Sequence, residues 1–214
     1  MAILSPIISY NTTGLGGINK DLLRDMLEQT NASFCLLQET WLLKRDICVL
    51  NNLHNEYIGH GISAVPDTKI LIGRPYGGVG ILWKKCLAQY VTPLDIDSDR
   101  VCGVMVTLGT SRLLILNVYM PGDTRHRDNV SSDYETCLDI MEKCMHEHTY
   151  DYLIIGGDFN TDLRRNNAHA HVFEGFIERN ALICGWDLVC AGTNNPSDIV
   201  TFTTPNGHTS CIIR

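Results

Sequence analysis

The sequence predicts an α/β fold. Two observations carry this prediction. Short apolar runs of strand character alternate with stretches of helical periodicity, and one of those runs is apolar on both faces, as a strand buried between two layers must be. A third observation bears on function: polar residues recur where the strands end, which is where such folds place their sites. At 214 residues the chain is long enough for one domain, residues 1–214, with a sizeable core.

Taken in order, residues 3–10 read as a first strand that runs into the loop Asn11-Thr12-Thr13-Gly14. Residues 18–29 carry Ile18, Leu22, Leu23, Met26 and Leu27 on one face, interleaved with Lys20, Asp21, Arg24 and Glu28, which predicts a helix with Asn31 as its stop. Residues 33–37 form a short buried strand ending in Gln38-Glu39-Thr40-Trp41. Residues 48–67 are mixed, with His54, His60 and several turn residues. Gly73-Arg74-Pro75-Tyr76-Gly77-Gly78 then reads as a turn feeding a strand that ends at Lys84 and Lys85. These glycines lack Walker spacing and no helix pattern follows, which excludes a nucleotide loop.

Residues 101–107 and 112–120 predict a β-hairpin around Gly109-Thr110-Ser111. In its second strand Leu113 and Ile115 lie on one face and Leu114, Leu116 and Val118 on the other, until Asn117 and Tyr119 break the run. Ser132-Asp133-Tyr134-Glu135 fits a capping box opening a helix to about Glu147. Residues 151–156 are the next strand and residues 168–180 a helix on Val172, Phe173, Phe176 and Ile177. Trp186-Asp187-Leu188-Val189 and Thr201-Phe202-Thr203 are shorter extended pieces.

Composition bounds the function classes. A net charge of −7 does not advertise a general nucleic-acid coat protein, although an enzyme with a metal site needs acidic residues of its own. No apolar run reaches the roughly 18 residues of a membrane span, and the apolar N-terminus lacks the basic region of a signal peptide. The nine cysteines have no regular spacing. Cys137 and Cys144 fall on an apolar helical face with Tyr134, Leu138, Met141 and Met145, which makes them core thiols. Cys144, His146 and His148 have no second ligand pair at finger-like spacing, which argues against zinc. Reduced cysteines point to a nuclear or cytoplasmic protein, not a secreted one.

The strand exits supply the candidate site: Asn11, Glu39, Tyr119, and Asp158 with Asn160. Asp158 and Asn160 stand at spacing i, i+2 after Gly156-Gly157, which on extended backbone sends both side chains to one side. A carboxylate beside a carboxamide can orient a phosphate and the water that attacks it. The same stretch also suits an Asx-rich turn after a buried strand.

Four motifs occur in one order: Ser9-Tyr10-Asn11-Thr12-Thr13-Gly14, Leu36-Leu37-Gln38-Glu39-Thr40-Trp41, Asn117-Val118-Tyr119-Met120-Pro121 and Gly156-Gly157-Asp158-Phe159-Asn160-Thr161. In this they resemble the endonuclease/exonuclease/phosphatase superfamily, whose members include the apurinic/apyrimidinic endonucleases. The wording around Glu39, Gly77-Gly78-Val79-Gly80 and Tyr119 resembles the endonuclease domains of non-LTR (LINE-type) retrotransposons. The resemblance implies a two-layer β-sandwich flanked by helices, the DNase I-like fold, and a Mg²⁺-dependent phosphodiesterase, with Mn²⁺ as the alternative ion. It implies that Glu39 holds the metal, helped by Asn11, that Asp158 activates the water and Asn160 orients it or the phosphate, and that Tyr119 contacts the phosphate or leaving group. It further implies duplex DNA as partner, a nick with a 3′-hydroxyl, a reverse transcriptase in the same open reading frame and a monomer. Thr201-Phe202 resembles a late motif on the DNA-facing side. Arg74, Arg125, Arg127, Arg164 and Arg165 are candidate phosphate contacts, with solvated surface charge as the competing reading.

The match departs at its end. In the family a Ser-x-Ile-Asp motif follows; here Ser210-Cys211-Ile212 leads into Ile213 and Arg214. A later Ser-Asp-His motif does not occur. The expectation is therefore a C-terminally truncated nuclease domain that lacks its last strands and has impaired activity. The alternatives are an inactive relic with weak DNA binding, or a related phosphatase acting on inositol phosphates or sphingomyelin.

Overall fold

Strand β1 (Ile7–Asn11), helix α1 (Ile18–Thr30) and strand β2 (Phe34–Gln38) form one crossover unit, and β1 pairs with β2 in parallel, Ile7 opposite Phe34 and Asn11 opposite Gln38. This computed structural model describes residues 6–66, 73–122, 130–161, 163 and 168–185. Helix α1 stops where predicted: Asn31 turns left-handed at φ 50°, ψ 35°, and its N–H donates to Leu27 O. The buried stripe of α1 is narrower than the sequence suggested. Leu23 and Leu27, four apart, are buried, but Leu22 is turned about 100° from Leu23 on the helix and is 49% exposed, and Ile18 is 73% exposed.

A 3₁₀ segment (Lys44–Asn52) then leads to β3 (Tyr57–Ile62) and β4 (Val79–Lys84), which pair antiparallel. Strand β3 lies in the region that read as mixed, because half of what it needs is not a side chain. A Cβ on Gly59 would stand 2.5 Å from Leu82 Cδ2, and one on Gly61 2.7 Å from Leu50 Cδ1. Leu50 of the 3₁₀ segment packs directly on the strand backbone, so glycine interrupts the alternation that marks a strand.

After a second 3₁₀ segment (Lys85–Tyr90) come β5 (Val91–Pro93), β6 (Val101–Leu108) and β7 (Ser111–Tyr119), then α2 (Val130–Glu147), β8 (Tyr152–Asp158) and α3 (Ala168–Arg179). The predicted hairpin is β6 and β7. Helix α2 begins at Val130, so Ser132 is not its cap. It sits inside the first turn, where its carbonyl accepts from Thr136 Oγ1 at 2.7 Å.

Among the described residues the strands make two four-stranded sheets, ordered β1-β2-β4-β3 and β5-β6-β7-β8. Three apolar layers hold them. Phe34, Leu36, Val79 and Ile81 meet Val104, Val106, Leu113 and Ile115 between the sheets. Leu114, Leu116 and Val118 on the other face of β7 pack under α2 and α3, with Tyr134, Met141, Phe173 and Phe176. Cys35, Leu37 and Leu82 pack under α1 and the first 3₁₀ segment. The result is the two-layer sandwich flanked by helices. Cys137 and Cys144 are buried as predicted, and burial pushes both thiols up to about 11, so they pack as neutral groups. Cys144 Sγ lies 3.8 Å from His148 Nδ1, while His146 Nδ1 meets the carbonyl of Glu142. Among the described residues no helix is long and apolar enough to cross a membrane.

The end of β8 is closely packed on both the facing sheet and its own neighbour. A Cβ on Gly156 would lie 2.5 Å from Leu36 Cδ1, and one on Gly157, at φ 141°, would lie 2.0 Å from Val118 O. Replacing Gly157 with alanine therefore forces β8 away from β7. Gly157→Ala is expected to lower unfolding free energy by more than about 2 kcal/mol, read as an earlier midpoint in chemical denaturation. An unchanged midpoint would contradict this close approach.

Candidate active site

Two parallel pairs, β1 with β2 and β7 with β8, point their carboxyl ends to one edge of the sandwich. Asn11 is the last residue of β1, Glu39 follows β2, Tyr119 ends β7 and Asp158 ends β8. The four polar strand exits thus converge. Asn11 Nδ2 donates to Glu39 Oε1 at 3.0 Å and to Asp158 Oδ2 at 2.9 Å, and the Tyr119 hydroxyl donates to the same Glu39 Oε1 at 3.0 Å. Asn11 and Asp158 are buried; Glu39 and Tyr119 are partly exposed.

The orientation of the Asn11 amide follows from its partners. Its nitrogen serves two carboxylates, and its oxygen accepts the Thr13 N–H at 3.1 Å. Asn11 therefore bridges the two acids, with one oxygen lone pair left for a cation. Glu39 Oε2 has no hydrogen-bond partner among the described residues. Carboxylate and amide oxygens are the hard donors that Mg²⁺ and Mn²⁺ take, so the residues present fit such an ion.

Asn160 departs from its expected geometry. Asp158 ends an extended strand, but Asn160 is left-handed at φ 47° and its N–H donates to Asp158 Oδ1 at 3.1 Å. This is an Asx turn, so the two side chains do not leave one side of a straight strand. The Asn160 amide instead donates to Met120 O at 2.7 Å, tying the exit of β8 to the exit of β7. The turn and the site are the same object.

The Glu39 loop is held under strain. Thr13, Glu39 and Trp41 all have positive φ, at 45°, 50° and 54°, a conformation costing about 1–3 kcal/mol each. Thr12 Oγ1 bonds the carbonyls of Gln38 and Glu39, and the N–H groups of Gly14, Thr40 and Trp41 donate to Glu39, Gly78 and Gly77. Beside it, Arg74 and Arg100 line a cleft of about 220 Å³ with Glu39, Trp41 and Tyr119. The Arg74 guanidinium lies 4.5 Å over the Trp41 ring and that of Arg100 lies 5.5 Å over Tyr119. A larger cavity of about 660 Å³, at His60 and Asp95, holds none of the predicted site residues.

Of the candidate phosphate contacts, Arg74 lines the cleft of about 220 Å³ beside Glu39. Arg125, Thr201, Arg127, Arg164, Arg165 and the Ser210 motif lie outside the described residues. Sequence reasoning missed Arg100, which nothing in Asp97-Ser98-Asp99-Arg100 sets apart, and the buried pair Gln38 and Asn117, whose amides meet at 2.7 Å beneath the site. Asn117 did carry a signal: it shares a strand face with Tyr119 in an otherwise apolar run.

A family model described as the endonuclease/exonuclease/phosphatase family matches residues 9–212. A search of curated proteins finds no match. Among solved structures, the AP endonuclease LMAP from Leishmania major superposes with a TM-score of 0.72 at 15% identity, over 97% of this chain and 78% of that one. The endonuclease domain of TRAS1, a telomere-specific non-LTR retrotransposon, gives 0.66 at 12% identity, over 97% and 82%. An AP endonuclease from Archaeoglobus fulgidus gives 0.66 at 13%, over 97% and 85%. Identities this low speak to a shared fold.

Tyr119 is the titrating group that the site perturbs. Burial raises its pKa above the ordinary 10.0, and the Glu39 charge and hydrogen bond add to the rise, while Arg100 opposes it. The phenol therefore stays protonated, and a donor, throughout the neutral range. A raised pKa in the folded state means stability that is complete below pH 10 and lost as the pH climbs beyond it. In an alkaline ultraviolet titration, Tyr119→Phe should remove one late ionising phenol, and the variant's stability should fall less steeply above pH 10. Loss of a phenol that titrates at or below 10 would contradict the assignment.

Proposed function

The chain belongs to the endonuclease/exonuclease/phosphatase family, and from that premise we propose that it is a divalent-metal-dependent phosphodiesterase that nicks duplex DNA and leaves a 3′-hydroxyl. The observation that carries the reading is the single amide of Asn11, within 3.0 Å of both Glu39 and Asp158, with Tyr119 on Glu39. Two acids held together by neutral donors form a site built to face a cation and a phosphate.

A Mg²⁺ or Mn²⁺ ion held by Glu39, with the Asn11 oxygen beside it, would offset charge developing on the phosphate. Asp158 is the base: it takes the proton of the water whose oxygen bonds to phosphorus. Its geometry is set by Asn11 on one oxygen and by the Asn160 N–H on the other, so little reorganisation is needed as the proton moves. Asn160 fixes the turn that aims Asp158. The protonated Tyr119 donates to the phosphate or to the departing O3′, whose bond to phosphorus breaks. Arg74 and Arg100 meet neighbouring phosphates.

The 3′-hydroxyl would prime a reverse transcriptase encoded in the same open reading frame. Two things support that finer reading. One is the wording of the Glu39 and Tyr119 motifs. The other is the likeness to the TRAS1 domain, described as part of a non-LTR retrotransposon.

The test is a supercoiled plasmid with Mg²⁺. The protein is expected to convert it to open circles carrying extendable 3′ ends, with EDTA abolishing the reaction. Glu39→Gln and Asp158→Asn should each slow nicking by about 100-fold or more. Nicking indifferent to Glu39→Gln, or release of phosphate from an inositol polyphosphate with plasmid untouched, would overturn the proposal.

A further inference from the structure

Trp41 has no part in the chemistry above, yet the fold fixes it with care. Its backbone is left-handed at φ 54°, and its N–H is held by Gly77 O. Its ring occupies the space where Gly14 would carry a side chain, since a Cβ there would stand 2.3 Å from Trp41 Cε3. Arg74 covers the ring at 4.5 Å. The ring remains partly exposed.

The consequence is a ridge between two clefts. On one side lies the cleft of about 220 Å³ with Glu39, Arg74, Arg100 and Tyr119. On the other lies one of about 320 Å³ formed by Gly14, Leu15, Gly16, Asn19 and Leu42 among others, without a single charged side chain. Trp41 and Pro75 line both. A nucleotide chain has the same alternation: a charged phosphate, then an uncharged sugar and base. An aromatic side chain between such positions is what single bases stack on and what wedges use in a groove.

Resting on the phosphodiesterase reading, we propose that Trp41 is a specificity-determining ridge. The uncharged cleft takes the nucleoside next to the scissile phosphate, and its base or sugar packs against Trp41. The protein then selects its nick site partly by which nucleoside fits beside Trp41 and how easily the duplex opens there.

The experiment uses duplexes with 2-aminopurine stepped through the positions flanking the nicked bond, under binding and under nicking conditions. The wild type should change the fluorescence at one flanking position only. Trp41→Ala should lose that signal and raise KM about tenfold, the loss of one base–aromatic contact, with a smaller effect on kcat, and Trp41→Phe should restore most of both. Gly16→Leu guards against a folding failure: Gly16 lines the uncharged cleft and a Cβ there meets nothing within 4 Å, so the fold has room for a leucine, whose bulk at the cleft should give the same loss. Nicking by both variants with unchanged KM and an unchanged 2-aminopurine signal would overturn the ridge and leave the functional reading standing. A wild type that neither binds nor nicks duplex DNA would overturn both.

Discussion

The structure depends on one buried amide. Asn117 is fully buried in β7, and its nitrogen donates at 2.8 Å to both Leu37 O and Gly80 O, across the sandwich in β2 and β4. Its oxygen accepts from Gln38 Nε2 at 2.7 Å, and Gln38 is bonded in turn to Ser9 of β1. Apolar side chains alone would let two sheets slide over one another at little cost. A fully satisfied polar network inside that layer tolerates one register, since any slip strands a donor or acceptor away from water. The residue after Gln38 is Glu39, and two residues after Asn117 is Tyr119. The bond that sets the register of the sheets therefore sets the 3.0 Å contact between Tyr119 and Glu39.

The glycines before Asp158 extend the same logic. Asp158 must come within reach of Asn11, which sits on the other sheet, and the bond between them spans 147 residues of chain. Gly156 gives room for Leu36 from the opposite sheet, and Gly157 lets β8 press on Val118. A side chain at either position would hold the two strand exits apart. The site is thus a property of sheet packing, not of a loop: three of its four polar groups sit at strand ends, and Glu39 is one residue beyond.

This explains what could be read from the sequence. Asn11, Glu39, Tyr119 and Asp158 each end an apolar run, and a polar residue at a strand exit is visible without knowing what it meets. Asn31 as a helix stop and the apolar face of α2 are local facts of the same kind. What escaped was set by distant neighbours. Strand β3 is glycine-interrupted because Leu50 packs on its backbone, Leu22 is exposed because it is turned about 100° from the buried Leu23, and Ser132 lies inside a helix that begins earlier than its own signal. The Asx turn at Asn160 was visible as an alternative to the catalytic reading, and the structure shows that turn with Asp158 also bonded to Asn11, so the turn leaves the proposed role of Asp158 open. Arg100 carries no mark in the sequence, and Trp41 is marked only as part of the Glu39 motif, since each gains its meaning from a ring or a cation brought in by a distant part of the chain.

The two arginines also bear on how an acidic chain faces a polyanion. In a protein of net charge −7, the obvious partners for Arg74 and Arg100 are the carboxylates beside them. The fold gives them aromatic rings instead, Trp41 and Tyr119. A guanidinium stacked on a ring is held in place but keeps its charge and much of its hydrogen-bonding capacity. An ion pair with Glu39 would have cancelled both the cation that a phosphate needs and the carboxylate that a metal needs. Among the described residues Glu39 makes no ion pair; its Oε1 takes only the neutral donors Asn11 and Tyr119. Charge of both signs is thereby kept uncancelled within one cleft, at the cost of strain in the Glu39 loop. That separation is difficult to account for as a device for stability, and it is what the proposed phosphodiesterase reading requires of these residues.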